Sequence, residues 1–316
     1  MNQLKTVLFL SVFTLLFGSM FFSAAASANT GLTYKPPGDF DGDGKTDIAI
    51  YRPDSGQWWI RRSSDGSHYV VTFGLNTDKP IPYDYTGDGK ADIAVWRPSS
   101  GEWFILRSDD FSYYSIPFGL SSDIPVPADY DGDGKTDIAV WRPSNATWYI
   151  QKSSGGYDFA TFGVSSDIPA PADFDGDGKA DIAASRLRSF WIRQTSDNSV
   201  YAVPFGNFSN QQGFMTNLFP GDFTGDGKAD QALYTNVVYN WCYRNQATGS
   251  EICVNRNFVD GLIPVPGDYD GDRKLDVAMF NLNNYRWTIY YTSGDVVTTW
   301  GINGDVPIPF ALTLMR

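Results

Sequence analysis

Asp129-Tyr-Asp-Gly-Asp-Gly-Lys-Thr-Asp137 sets the fold of this chain, because the same nine-residue pattern occurs six times. The first aspartates of the copies are Asp39, Asp84, Asp129, Asp173, Asp222 and Asp268, at spacings of 45, 45, 44, 49 and 46 residues. A period of about 40 to 50 residues marks propellers and other repeat arrays, whose units bury their apolar faces against one another. The units start near residues 31, 76, 121, 165, 214 and 260 and together form one domain over 29–316.

In the unit holding this stretch, Ile124-Pro-Val-Pro-Ala-Asp-Tyr130 leads into the aspartate loop. Asp137-Ile-Ala-Val-Trp-Arg-Pro143, Thr147-Trp-Tyr-Ile-Gln151 and Tyr157-Asp-Phe-Ala-Thr-Phe-Gly163 follow. Each piece is short, rich in β-branched and aromatic residues, and bounded by Gly, Pro, Asn or Ser, which is the pattern of a strand. Four strands per unit make a propeller blade. No window keeps an apolar 3.6-residue period, and 31 glycines and 18 prolines interrupt the chain, so helices have no support. The expected fold is all-β, a β-propeller of six four-stranded blades; seven blades with one partial is the alternative.

Adjacent aromatics such as Trp58-Trp59, Tyr113-Tyr114 and Trp148-Tyr149 point to opposite faces of a strand, as suits a sheet covered on both sides. A tryptophan recurs at Trp58, Trp103, Trp148, Trp191, Trp241 and Trp287, and is expected between blades; a sugar-stacking platform is the alternative. Asp305-Val-Pro-Ile-Pro-Phe310 repeats the first-strand motif without a loop, while Gly31 to Phe40 fills that slot at the N-terminus. One of these ends is expected to close the ring and remove exposed strand edges.

Calcium takes six to eight hard oxygens at about 2.3–2.6 Å, and EF-hand loops supply them from positions 1, 3, 5 and a position-7 carbonyl, with Gly at 6. In this stretch Asp129, Asp131 and Asp133 take positions 1, 3 and 5, Gly134 the turn, Lys135 the carbonyl, and Asp137 adds a carboxylate at 9. No glutamate stands at 12, and the loop enters a strand instead of a helix. A lone loop of this kind also suits an Asp-Gly hairpin turn; six in register with the fold period point to metal.

The copies differ. Full sets stand in blade one (Asp39, Asp41, Asp43, Lys45, Asp47), blade three, and blade four (Asp173, Asp175, Asp177, Lys179, Asp181). Blade two (Asp84, Thr86, Asp88, Lys90, Asp92) and blade five (Asp222, Thr224, Asp226, Lys228, Asp230) replace the second acid by threonine. Blade six (Asp268, Asp270, Asp272, Lys274, Asp276) has Arg273 where the glycine belongs. Up to six Ca²⁺ ions are expected, three held strongly and three more weakly. The loops carry 22 of the 36 acids, grouped so that they repel one another when empty.

Lys5, the apolar run Thr6 to Phe22 and Ala26-Ser27-Ala28 have the layout of a cleaved signal peptide over residues 1–28; a retained anchor is the alternative. The protein is expected to be secreted, extracellular or at the cell surface, with the periplasm as the alternative and no later membrane span. The formal charge of −12, or −13 once Lys5 is lost, argues against nucleic acid or anionic membrane as partner. In an exported chain Cys242 and Cys253, with ten residues between them, suit a cross-strand disulfide; two free thiols are the alternative.

With the loops, the period and the pairs Phe73-Gly74, Phe118-Gly119, Phe162-Gly163 and Phe205-Gly206, the chain resembles the FG-GAP or VCBS repeat family. These are the calcium-loop blades of the integrin α-subunit propeller and of many secreted bacterial proteins. Blade six departs at Arg273, and blade five carries Phe258-Val-Asp-Gly261 instead of the pair. The resemblance implies a calcium-stabilised propeller used in adhesion, ligand binding or beside enzyme domains, and some related fungal propellers are lectins. Fold does not name the ligand.

The expected function is a secreted adhesion or ligand-binding module with structural calcium, acting as a monomer on an extracellular protein or glycan; a lectin-like propeller is the alternative. Arg52, Arg97, Arg142 and Arg186 recur after the second strand, to serve acidic sugars or to pair with acids of the adjoining blade. A polysaccharide lyase or glycosidase would need a unique acid–base pair, but nearly every prominent acid lies in a repeated loop. His68 is the only histidine, and no catalytic residue is assigned. The insert around Asn207 to Asn217 and the cysteine hairpin break the symmetry, so a partner site is expected there.

Overall fold

The computed structural model describes residues 35–309 apart from 187–188, 205–215, 236–239, 247, 256–260 and 292. The leader, Phe205-Gly206, Phe258 and most of the 207–217 insert lie outside the described residues.

Blade one begins with β1 (Ile48–Arg52), β2 (Gln57–Arg61) and β3 (His68–Thr72). Blade two is β4 (Lys79–Pro80), β5 (Ile93–Arg97), β6 (Glu102–Leu106) and β7 (Tyr113–Pro117). Blade three is β8 (Ile124–Pro125), β9 (Ile138–Arg142), β10 (Thr147–Gln151) and β11 (Tyr157–Thr161); blade four is β12 (Ile168–Pro169), β13 (Ile182–Arg186), β14 (Ser189–Arg193) and β15 (Val200–Pro204). Blade five is β16 (Thr216–Gly221), β17 (Asp230–Thr235), β18 (Asn240–Arg244) and β19 (Glu251–Asn255). Blade six is β20 (Leu262–Pro264), β21 (Val277–Asn281), β22 (Arg286–Tyr291) and β23 (Gly294–Thr299), and β24 (Val306–Ile308) ends the set. The strands form six four-stranded antiparallel sheets in a propeller arrangement, so the blade count is six.

β24 completes blade one by pairing with β1, Ile308 opposite Ala49 and Val306 opposite Tyr51. The C-terminal segment therefore takes the slot expected for Gly31 to Phe40, whose described part, residues 35–40, carries no strand. A strand edge bonds one neighbour, and adjacent Pro36 and Pro37 lack the N–H donors that a ladder needs.

Six apolar clusters hold the sheets together, and each spans two blades. Trp141 and Trp148 of blade three pack with Ala180 and Ile182 at blade four. Ile50 of blade one packs with Phe280 and Trp287 of blade six, which closes the series. Trp58, Trp103, Trp148, Trp241 and Trp287 are fully buried in these clusters. Blade four corrects the expected tryptophan series. Phe190 opposes Ser185 and fills the buried place, while Trp191 opposes Ala184 on the other face and is 37% exposed. The period of two sends neighbours to opposite faces, and in this blade the tryptophan stands one residue later. Cys242 on β18 opposes Cys253 on β19, and their sulfurs are joined as a disulfide.

Candidate metal loops and an interblade cleft

Each loop folds around its first aspartate. Asp129 Oδ1 accepts the N–H of Gly132 at 2.6 Å and Oδ2 accepts that of Gly134 at 2.9 Å. Both glycines have left-handed backbone, φ 78° and 84°, which suits a residue without a Cβ. Arg273 takes the second of these places in blade six with φ 68°, and its N–H still reaches Asp268 Oδ2 at 2.9 Å. The loop path survives the substitution, at a backbone strain of about 1 kcal/mol or more.

The ninth position ties the loop to its own sheet. Asp137 Oδ2 accepts the N–H of Tyr130 at 2.9 Å, and Oδ1 accepts that of Ser153, beyond β10, at 2.7 Å. Asp47 with Ser63, Asp92 with Ser108, Asp181 with Thr195 and Asp230 with Gln246 repeat the second contact. These five aspartates are buried. Burial, the largest cause, pushes Asp47 and Asp276 up to about 7 and Asp137 and Asp230 to about 6. Asp173 at position 1 also rises to about 6 through burial, and its neighbours Asp177 and Asp175 add repulsion.

Oxygens sharing one calcium at about 2.3–2.6 Å can be at most about 5 Å apart. Carboxylate oxygens lie within 4.8 Å of one another in four loops: Asp39, Asp41 and Asp43; Asp129, Asp131 and Asp137; Asp173, Asp175 and Asp181; Asp268, Asp270 and Asp276. Every triad uses positions 1 and 3. Loops two and five, with Thr86 and Thr224 at position 3, have no such triad among the described residues. The all-oxygen donor sets suit a hard cation, and none offers the soft thiolate or imidazole donors that select transition metals.

The loops are also joined to one another. The N–H at position 8 of each donates to the position-1 carbonyl of the preceding loop: Ala91 to Asp39, Thr136 to Asp84, Ala180 to Asp129, Ala229 to Asp173, Leu275 to Asp222 and Thr46 to Asp268, at 2.6–2.8 Å. The position-7 lysine lies over the position-4 glycine of that same neighbour, Lys135 on Gly87 and Lys179 on Gly132 for example, and Lys45 on Gly271 closes the circle. The lysine side chains are thus directed to the neighbouring loop. In the sequence the trace of this ring is a lysine at position 7 of all six loops.

The repeated arginines serve structure within their own blade, which corrects the expectation of a partner in the adjoining one. Arg97 holds Asp78 in two hydrogen bonds of 2.9 and 2.8 Å, and Arg142 holds Asp123 in the same way. Arg52 with Asp305 and Arg186 with Asp167 repeat it. Register explains the choice: Lys79 opposes Trp96, so Asp78 and Arg97 are the next pair along the same ladder. Each arginine also covers a ring, of Trp59, Phe104, Tyr149 or Trp191. His68, on the outer strand of blade one, meets Trp300 edge-on at 5.6 Å.

A cleft of about 670 Å³ opens between blades one and two, lined by Asp41, Arg62, Tyr69, Lys90, Arg107 and Phe111 among others. Phe111 has φ 57° and is 63% exposed. Its N–H bonds Arg107 O, in the hairpin position that Gly66, Asn198 and Gly249 occupy elsewhere. Left-handed backbone is rare and costly for a bulky residue, and so exposed a ring recovers little of the cost by packing.

The FG-GAP repeat model matches residues 37–72, and the FG-GAP-like repeat model matches residues 84–140 and 129–184. No curated protein matches the sequence. Among solved structures, an Agrocybe aegerita lectin described as recognising non-reducing terminal N-acetylglucosamine is similar, with TM-score 0.59 and 17% identity over 89% of this chain and 86% of that one. Apo AztD from Citrobacter koseri is similar with TM-score 0.50 and 11% identity, over 82% of this chain and 83% of that one. At these identities the likeness is one of fold.

Proposed function

Because this chain is a six-bladed β-propeller carrying FG-GAP repeats, we propose that it is a calcium-stabilised ligand-binding module whose ions are structural. The carrying observation is the set of four carboxylate triads with oxygens within 4.8 Å, in loops linked one to the next around the ring. Bound calcium would offset the repulsion and burial that raise these carboxyls. The position-1, -3, -5 and -9 side chains and the position-7 carbonyl would hold it. FG-GAP repeats are typically extracellular, and no helix among the described residues is long and apolar enough to cross a membrane. We place the protein outside the cell, where modules of this kind bind calcium at about 10⁻⁴–10⁻³ M.

The ligand site of this reading is the cleft between blades one and two, and its ligand is a saccharide. Phe111 supports this, as an exposed ring at a strained position beside Arg62, Arg107 and Tyr69. A sugar face stacks on an aromatic ring while its hydroxyls reach the flanking polar groups. The lectin of similar fold is consistent with the choice. The test is a glycan array with the calcium-loaded protein and its Phe111→Gly variant, in which glycine accepts the backbone. Binding by the native chain and at least a tenfold loss in a variant of equal or greater stability supports the site. Equal binding by both, or none by the native chain, contradicts it.

A further inference from the structure

Loop two has a cation of the chain's own against its position-1 acid. The Lys35 ammonium lies 2.5 Å from Asp84 Oδ2 and also donates to the carbonyl of Gly134 in loop three. Its side chain is 28% exposed, while that of Asp84 is 7% exposed. Asp84 is the position-1 acid, one of the two positions that every triad elsewhere uses. The other, position 3, is Thr86 in this loop, so loop two has three carboxylates where loop three has four.

The charges match this substitution. Three carboxylates with one ammonium leave the same net charge as four carboxylates with one divalent ion. Position also matches. Pro36 and Pro37 follow Lys35 directly and restrict the backbone, since proline fixes φ, and the chain turns at Pro37 and Gly38. Pro36 is buried, and the Gly38 carbonyl accepts the Asp47 N–H at 3.0 Å. The segment is therefore anchored at the residue directly after the prolines, and the lysine is presented to loop two at low entropic cost. Loop three loses nothing by the contact, because the carbonyl it lends is at position 6, whereas the ligand carbonyl is at position 7.

We propose that Lys35 is the counter-ion of loop two, its ammonium standing where the other loops take calcium, so that the native chain binds no ion there and the N-terminal segment is pinned across loops two and three. The inference rests on the calcium reading of the loops. It assigns a neutralising role to Lys35 and removes Asp84, Thr86, Asp88 and Asp92 from the calcium ligands of the native protein.

Calcium alone is the probe, with the number of ions per chain counted by equilibrium dialysis at millimolar Ca²⁺. Lys35→Met keeps an unbranched side chain one atom shorter and removes the charge, and it gains one ion per chain over the native protein. Adding Asp84→Asn to that variant abolishes the extra ion. In the otherwise native chain, Asp84→Asn leaves the count unchanged, a control that does not depend on how well the Lys35 variant folds. An equal count in the native and Lys35→Met proteins overturns the proposal, as does loss of an ion from Asp84→Asn alone. A count of zero in every protein overturns the calcium reading itself, whereas a nonzero count that Lys35 does not alter overturns only the role of Lys35.

Discussion

The amide of Thr46 in blade one donates to the carbonyl of Asp268 in blade six at 2.6 Å. It is the sixth of six equivalent bonds, and it joins the two ends of the repeat array. The same junction is closed again where β24 pairs with β1, where Ile50 enters the apolar cluster of blade six, and where His68 meets Trp300. Sheet, core, loop ring and rim therefore close at one place. Among the described residues each blade packs against two neighbours.

Removing residues 305–316 tests that closure. The truncation deletes β24, leaves the inner edge of β1 unpaired and takes Asp305 from Arg52. An unpaired edge is a template for another chain, so size-exclusion chromatography should show oligomers and the melting temperature should fall. A monomer with unchanged melting temperature contradicts the role given to β24.

The arginine pairs predict an asymmetry between single and double substitutions. Asp123 has no exposed side-chain surface, and Arg142 is its partner. Arg142→Ala leaves a buried carboxylate without its counter-charge, at a cost of about 3–5 kcal/mol. Replacing Asp123 by Ala as well should restore part of that stability in urea denaturation. A single substitution costing less than about 0.5 kcal/mol would place the pair with exposed ion pairs of little worth.

Chelated protein should lose stability as pH rises. Asp47 and Asp276 titrate near 7, and Asp137, Asp173 and Asp230 near 6, all above the value of about 4 in an unfolded chain. A raised carboxyl favours the folded state while protonated. That contribution is complete below about pH 4 and is lost as pH climbs through 6 to 7. The melting temperature in EDTA should thus fall between pH 5 and 8. Saturating calcium should reverse the trend, because protons compete with the ion for the same oxygens. A melting temperature in EDTA that rises over this range contradicts the burial assigned to these groups.

Much of this architecture was legible because a repeated sequence reports its own period. The six Asp-rich loops gave blade number and position, and the short aromatic strands gave sheets covered on both faces. What escaped depends on register and on three-dimensional proximity. Trp191 and Phe190 are interchangeable to the eye until pairing with Ala184 and Ser185 assigns their faces. Arg97 and Asp78 are 19 residues apart, and only the ladder of β4 and β5 makes them neighbours. Lys35 lies outside every loop motif, so its contact with Asp84, 49 residues away, has no local sign. Phe111 could have been suspected by aligning its hairpin with those of Gly66 and Gly249, where a bulky residue stands out.

The central claim is that the aspartate loops bind calcium as part of the fold, and the direct measurement is the melting temperature of chelator-stripped protein as calcium is added. Each site at 100 times its dissociation constant adds about 2.7 kcal/mol, and in a chain of this size one kcal/mol is worth about 1.5 °C. Four triads occupied at that ratio should therefore raise the melting temperature by about 15 °C, in a calcium-dependent manner that magnesium does not reproduce. A melting temperature that is the same in EDTA and in 5–10 times about 1 mM calcium, the weak end of the extracellular range, would contradict the claim.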